Sequence, residues 1–286
     1  MNFIAAESAF EDARIVLFGA PYDSTTSFRP GTRFGPAAMR SESFGIETYS
    51  PYQDLDLETD ALVHDAGDQE LPFGAPDRAL AMIESEAERI LAAGKVPFLL
   101  GGEHLVTLGA VRAAAKRHPD LRIVHFDAHA DLRGDYLGVS LSHACVLRRC
   151  HDILGDGRIW QFGIRSCTRE ERRFMRDGHV TTELFTDSNL PAAVEAIGPD
   201  APVYLTVDMD VIDPSEFPGT GTQEAGGLSF ARLLGDIRLI CGKLNVVAAD
   251  NVELSPGLDH SGRSTALACK FLREELLAVS AKLGVA

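Results

Sequence analysis

The feature that most constrains this chain is a repeated alternation. Short apolar runs rich in β-branched residues are separated by longer amphipathic stretches. The runs are Ile15–Gly19, Val96–Leu100, Leu121–Phe126, Ile159–Gly163, Val203–Val207 and Leu244–Ala248. Runs that are apolar throughout, rather than at every second residue, read as strands covered on both faces, the habit of a parallel sheet. The stretches between them predict helices over Asp77–Ala93, Leu105–Lys116, Arg169–Asp177, Phe230–Cys241 and Thr265–Lys282. Asp77–Ala93, for example, carries Leu80, Ile83, Ala87 and Ile90 at helical spacing. Ser229 and Ser264 stand where N-caps belong, and Gly94 and Gly242 where helices stop. Strand–helix alternation of this kind predicts βαβ units in a layered α/β domain. No repeat, low-complexity tract or linker divides the chain, so one domain over residues 1–286 is expected.

Charge narrows the partners. Lys and Arg number 27 against 42 Asp and Glu, a net charge of −15. Nucleic-acid and anionic-membrane binders need a basic face, so neither class is expected, and a neutral or cationic small molecule suits the balance better. The five cysteines form no C-x-x-C pair, and the N-terminus lacks the features of a signal peptide. A reducing, cytoplasmic setting is expected. No run of 18 apolar residues suggests a membrane span.

Four of the expected strands end in polar turns. They are Gly101-Gly102-Glu103-His104, Asp127-Ala128-His129-Ala130-Asp131, Asp208-Met209-Asp210 and Asp250-Asn251-Val252-Glu253. Ligand sites in open α/β sheets form beyond the carboxyl ends of the strands, so parallel strands would gather all four turns on one rim.

Asp127-x-His129-x-Asp131 is the sharpest of these signals. Alternate residues at a strand end share a face, but ideal strand spacing is too wide for one ion to hold all three. Either the segment curls around a metal, or two metals share it. Asp208-x-Asp210 adds two carboxylates, and His104 a second imidazole. Oxygen and nitrogen donors without thiolate suit Mn²⁺ first, then Fe²⁺, Co²⁺, Ni²⁺ or Zn²⁺. Four aspartates balance two divalent ions; a single ion would leave about two negative charges on a buried cluster, which is costly.

His143 lies just past this loop. Imidazole chemistry makes it a candidate proton shuttle, while residue type alone reads it as a surface or core histidine. Glu253 can pair with a planar cation or serve as a cap or salt-bridge residue. His64, His118, His125, His151, His179 and His260 carry no such context, and His125 is expected to face the core. The glycines from Gly219 to Gly227 read as a long ordered loop over the rim.

These blocks, in order and over nearly the whole chain, resemble the ureohydrolase (arginase/agmatinase) family. The match runs through Gly101–His104, Phe126–Leu132, Val207–Pro214, Pro218–Thr222, Gly226–Leu228 and Val252–Pro256. The stretch from Pro21-Tyr22-Asp23 to Phe34-Gly35-Pro36 is similar to the agmatinase branch. The resemblance implies a three-layer α/β/α domain with a mostly parallel sheet, two Mn²⁺ and a trimer or hexamer. It implies His104, Asp127, Asp131 and Asp208 around one ion, and Asp127, His129, Asp208 and Asp210 around the other. A metal-bridging hydroxide oriented by Asp131 would attack the guanidinium carbon, Glu253 would clamp the guanidinium, and His143 would shuttle protons. Agmatine would give urea and putrescine, a step of polyamine biosynthesis.

Three positions depart from the family pattern: Glu103 stands where aspartate is common, Ala144-Cys145 replace Gly-Thr, and Leu254-Ser255 replace Val-Asn. The last two lie near the expected pocket and bear on the substrate's far end. Guanidinobutyrate, guanidinopropionate, aminopropylagmatine and arginine are the alternative substrates. Arg133, Asp135, Arg165 and Glu170 in candidate loops have conflicting signs. A single-zinc deacetylase would not need His104, Asp131 and Asp210. A metal-binding regulator without catalysis would be expected to have lost site groups that this chain keeps.

Overall fold

The computed structural model describes residues 1–284. In chain order the elements are β1 (Ile15–Ala20), α1 (Gly35–Glu42), β2 (Tyr49–Ser50), β3 (Leu55–Asp56), β4 (Val63–Asp68), α2 (Pro76–Ala92), β5 (Val96–Gly101), α3 (Thr107–Arg117), β6 (Arg122–Phe126), α4 (Val146–Leu154), β7 (Ile159–Ile164), α5 (Arg169–Arg176), β8 (Thr181–Leu184), α6 (Leu190–Ile197), β9 (Pro202–Asp208), α7 (Phe230–Lys243), β10 (Asn245–Val252) and α8 (Arg263–Lys282). Eight strands form one sheet in the order β4-β1-β5-β10-β9-β6-β7-β8. Every pair in it is parallel. β2 and β3 make a separate small antiparallel pair.

The strands are buried on both faces, and alternate side chains divide between two apolar cores. Ile15, Leu17, Phe98 and Leu100 join the core built with Met39 of α1 and with α6, α7 and α8. Val16, Phe18 and Leu99 join the core built with α2, α3, α4 and Met175 of α5. This is the two-residue period of a strand expressed in a three-layer α/β/α sandwich.

All six predicted strands and five predicted helices form, with shifted ends. β10 is the most consequential shift. It begins at Asn245 and runs on to Val252, so Asp250 and Asn251 lie within the strand, and only Glu253 stands at the turn. Asp250 is tolerated there because Tyr204 and Thr206 of the adjacent β9 donate hydroxyl hydrogen bonds to its two oxygens at 2.6 Å. Ser229 caps α7 by accepting from Arg232 N–H. Ser264 is not a cap: Gly262 holds that position, and the Ser264 hydroxyl accepts from Gly219 N–H and donates to Asp259. Gly242 lies inside the last turn of α7 rather than ending it.

The central four strands are β5, β10, β9 and β6. These are the strands that lead to the four polar turns, so sheet order places the turns side by side. None of the five cysteines is disulfide-bonded. No helix among the described residues is long and apolar enough to cross a membrane.

Candidate metal centre

At the end of β5 the backbone packs too closely for a side chain. A Cβ on Gly102 would stand 2.0 Å from Tyr22 O. This contact accompanies hydrogen bonds from Gly102 N to Ala20 O and from Glu103 N to Tyr22 O. Glu253 N in turn donates to Gly102 O at 2.9 Å, joining the ends of β10 and β5. His104 follows directly and is completely buried.

After β6 the chain is held by Asp127 N donating to Phe162 O and by Ala130 N donating to Ser166 O. It turns sharply at Asp131, whose φ is 53°. Glu253 also sits at positive φ, 66°. Non-glycine residues pay a steric penalty in this left-handed region, and such strain concentrates at functional sites. The chain curls, and its donors divide between two clusters.

In the first cluster, His104 Nδ1 lies 3.1 Å from Asp127 Oδ2, 3.3 Å from Asp131 Oδ2 and 3.4 Å from Asp208 Oδ2. In the second, His129 Nδ1 lies 3.0 Å from Asp210 Oδ2 and 3.4 Å from Asp127 Oδ1. Asp127 thus turns one oxygen to each cluster. Asp208 Oδ1 accepts from Asp210 N at 2.8 Å, and Thr222 from the glycine-rich loop donates to Asp210 Oδ2.

The surrounding groups fix the imidazoles. His104 Nε2 is 3.0 Å from Thr206 Oγ1, whose proton goes to Asp250. Nε2 is therefore the donor, and the Nδ1 lone pair points into the carboxylates. Nδ1 is buried and has no hydrogen-bond partner. A cation is the group that an orphaned lone pair among three carboxylates fits.

His125, expected to be an ordinary core histidine, is buried but not idle. Its Nε2 is 2.9 Å from Asp127 Oδ2, and Gln161 Nε2 lies 3.0 Å from its Nδ1. Its position two residues before Asp127 was the available signal, since both point to the same side of the strand.

Electrostatics gives the same account. Burial, with Asp210 and Asp127 next to it, holds the Asp208 carboxyl well above the usual range. Burial and Asp127 raise Asp131 likewise. Burial opposes charge on His104, but Asp127, Asp131 and Asp208 outweigh it and lift its pKa well above normal. Without added positive charge, this cluster relieves its repulsion only by holding protons.

His143 sits beside the first cluster. Its Nδ1 is 3.2 Å from Glu253 Oε1, and Ser27 N donates to its Nε2 at 3.0 Å. Burial opposes its protonation, but Glu253 dominates and lifts the pKa to about 9. Glu253 Oε1 also accepts from His104 N at 2.8 Å. Glu103, the departure from the family pattern, grips the loop carrying Ser27. Its carboxylate accepts from Thr25 N, Thr25 Oγ1 and Thr26 Oγ1. Burial pushes it up to about 7. Ser27 had no signal in the sequence, because its role depends on a loop folding back 116 residues from its partner.

Asp131, Asp208, His129, His143 and Ser27 border a cavity of ≈ 270 Å³, while Glu253 lies behind its wall. Arg133, Tyr136, Cys167 and Glu171 line it as well. Arg165, a candidate for contact with the far end of a substrate, is instead occupied by backbone, donating to Asp210 O, Val211 O and Glu224 O.

A family profile described as "Arginase family" matches residues 13–278. The chain belongs to the arginase family. Among relatives of this arginase-family chain, the agmatinase of Bacillus anthracis is 46% identical over 278 residues, covering 96% of this chain and 95% of that protein. The mitochondrial guanidino acid hydrolase of Homo sapiens is 35% identical, covering 98% and 82%. The crystal structure of agmatine ureohydrolase from Thermoplasma volcanium superposes with a TM-score of 0.87 at 35% identity, covering 97% and 94%. The two-cluster arrangement is thus the candidate metal-binding centre of an arginase-family protein.

Proposed function

We propose that this chain is a dinuclear-manganese ureohydrolase that cleaves agmatine to urea and putrescine. The observation that carries the reading is Asp127, with one oxygen facing His104 and the other facing His129, beside Glu253 and His143. His104, Asp127, Asp131 and Asp208 would hold one ion, and Asp127, His129, Asp208 and Asp210 the other. When bound, two divalent ions supply Lewis acidity and bring the pKa of water toward neutrality. Co²⁺, Ni²⁺, Fe²⁺ and Zn²⁺ are alternative occupants of the same oxygen and nitrogen donors.

The chain's own residues do the rest. Glu253 offers carboxylate oxygens to the planar guanidinium, a charge-assisted pairing. Asp131, on the cavity wall, accepts a hydrogen bond from the attacking water and orients it. A C–O bond forms at the guanidinium carbon, and the C–N bond to the alkyl amine breaks. The leaving amine must gain a proton. His143, which borders the cavity with Ser27, supplies it. Water and agmatine are consumed, and urea and putrescine are formed. A trimeric or hexameric cytoplasmic assembly is part of the same reading.

Arg133 in the cavity wall favours one second reading, a guanidino acid whose carboxylate it would pair with. The amine reading has Glu171 in the same wall, although its oxygens already accept from Leu132 N and Thr168 N. The deciding experiment is urea release by Mn²⁺-loaded protein from agmatine, guanidinobutyrate, guanidinopropionate, aminopropylagmatine and arginine, with Asp127→Asn as control. Urea chiefly from agmatine, lost in the control, supports the proposal. Urea chiefly from a guanidino acid moves the substrate, and no urea with two metals bound overturns the activity.

A further inference from the structure

A second group of metal-donor side chains lies away from the catalytic cavity. His151 is on α4, Asp156 is in the turn that follows, and His179 precedes β8. His151 Nε2 and His179 Nδ1 converge on the same oxygen, Asp156 Oδ1, each at 2.7 Å. Their donor atoms all lie within 4.8 Å of one another. None of the three lines the catalytic cavity.

The rings are held in place. Phe174 stacks on His179 at 4.3 Å with a 25° tilt and meets His151 edge-on at 4.9 Å. The Arg148 guanidinium lies 4.1 Å over the ring of Phe174. Gly157 N donates to His179 O, tying the two contributing segments together. The side chains of His151 and His179 are 14% and 35% exposed, while that of Asp156 is 65% exposed, so one side of the cluster faces water.

We infer that His151, Asp156 and His179 form a separate surface site for a borderline divalent transition ion, with Zn²⁺ the probe of choice. Two imidazoles and one carboxylate are the donor types that such ions prefer, whereas Ca²⁺ and Mg²⁺ prefer oxygen alone. Bond lengths of about 2.0–2.1 Å in a tetrahedral site place neighbouring donors about 3.3 Å apart. The 2.7 Å contacts must therefore open by about 0.6 Å for a tetrahedral ion. The exposed Asp156 carboxylate supplies that opening, and the two ring nitrogens already lie within 4.8 Å of each other. Solvent completes the coordination. The bound ion would staple the C-terminal end of α4 to the start of β8.

The test is a metal count on full-length protein dialysed to equilibrium against micromolar free Zn²⁺. Wild type is compared with His151→Gln/His179→Gln and with His179→Gln alone, which replaces a surface ring. The comparison uses the difference in equivalents, so it does not depend on how many ions the catalytic cluster takes. Circular dichroism confirms that each variant is folded. The expected result is one equivalent fewer in both variants, with a rise in Tm on adding Zn²⁺ that wild type shows in excess of the variants. Equal Zn²⁺ content in wild type and either folded variant overturns the proposal and leaves a hydrogen-bonded His–Asp–His array.

Discussion

His143 Nδ1 lies 3.2 Å from Glu253 Oε1, and that same carboxylate oxygen accepts the backbone N–H of His104 at 2.8 Å. A single carboxylate thus holds the His143 ring and the His104 backbone together. His143→Asn keeps a polar side chain but removes the titrating ring. General acid–base groups contribute about 10²–10⁴-fold, so urea release should fall by at least about 10²-fold. Metal content measured on the same preparation should stay unchanged. A variant that keeps its full rate would remove His143 from the proton path.

Thr206 touches the candidate metal cluster through His104. Its hydroxyl sits 3.0 Å from His104 Nε2 and donates to Asp250 at 2.6 Å. Thr206→Val preserves shape and deletes this support. Losing an outer-shell partner of a metal-ligating histidine typically costs about 10–100-fold in metal affinity. Mn²⁺ titration of the dialysed variant should show a loss in that range. His125→Leu should do the same through Asp127, because its Nε2 contact at 2.9 Å would disappear. Unchanged Mn²⁺ affinity in both variants would show that these contacts serve packing alone.

The sequence shows some parts of this site and hides others for physical reasons. The polar turns are legible because a parallel strand announces its own carboxyl end, and the turns stand at those ends. The buried interior strands β5, β6, β7 and β9 were readable because both faces need apolar side chains. The edge strands β4 and β8 were not, since Val63–Asp68 and Thr181–Leu184 carry polar residues at their more exposed positions. Helices α4 and α6 are nine and eight residues long, little more than two turns each, too short for a helical period to stand out. Asp250 was read as a turn residue because a buried strand carboxylate looks improbable until its two hydroxyl partners on β9 are known. The order β5-β10-β9-β6, which gathers the site, has no signature in the chain, since crossover connections set it.

Gly102 is the backbone counterpart of these side-chain effects. A methyl group there would stand 2.0 Å from Tyr22 O and 2.6 Å from Tyr22 N, both of them backbone atoms that cannot swing aside. Gly102→Ala should therefore destabilise the fold by about 3 kcal/mol or more, the upper range for overpacking. Chemical denaturation of wild type and variant reads this directly. His104 lies two residues away, so Mn²⁺ affinity should fall as well. A variant with wild-type stability would mean that the strand ends separate without cost.

The last expectation concerns pH and lies away from the metal cluster. Asp236 on α7 faces Asp187, and both carboxylates approach the Arg232 guanidinium. Burial first, then Asp187, holds the Asp236 carboxyl at about 8 against the opposing pull of Arg232. Its ordinary value is 3.8, so the folded state keeps a proton that the unfolded chain releases. The stabilisation is complete below about pH 4 and declines as pH rises toward 8, because the folded state binds more protons across that window. Asp236→Asn stays neutral, and its amide can still donate to Asp187. At pH 4 the variant and wild type should melt together. At pH 8 the variant should melt higher by about 2 °C or more, the shift expected from about 1 kcal/mol in a chain of this size. Thermal melts of the two proteins at both pH values test this, and parallel curves at pH 8 would place Asp236 ionised in the fold, with Arg232 the stronger neighbour.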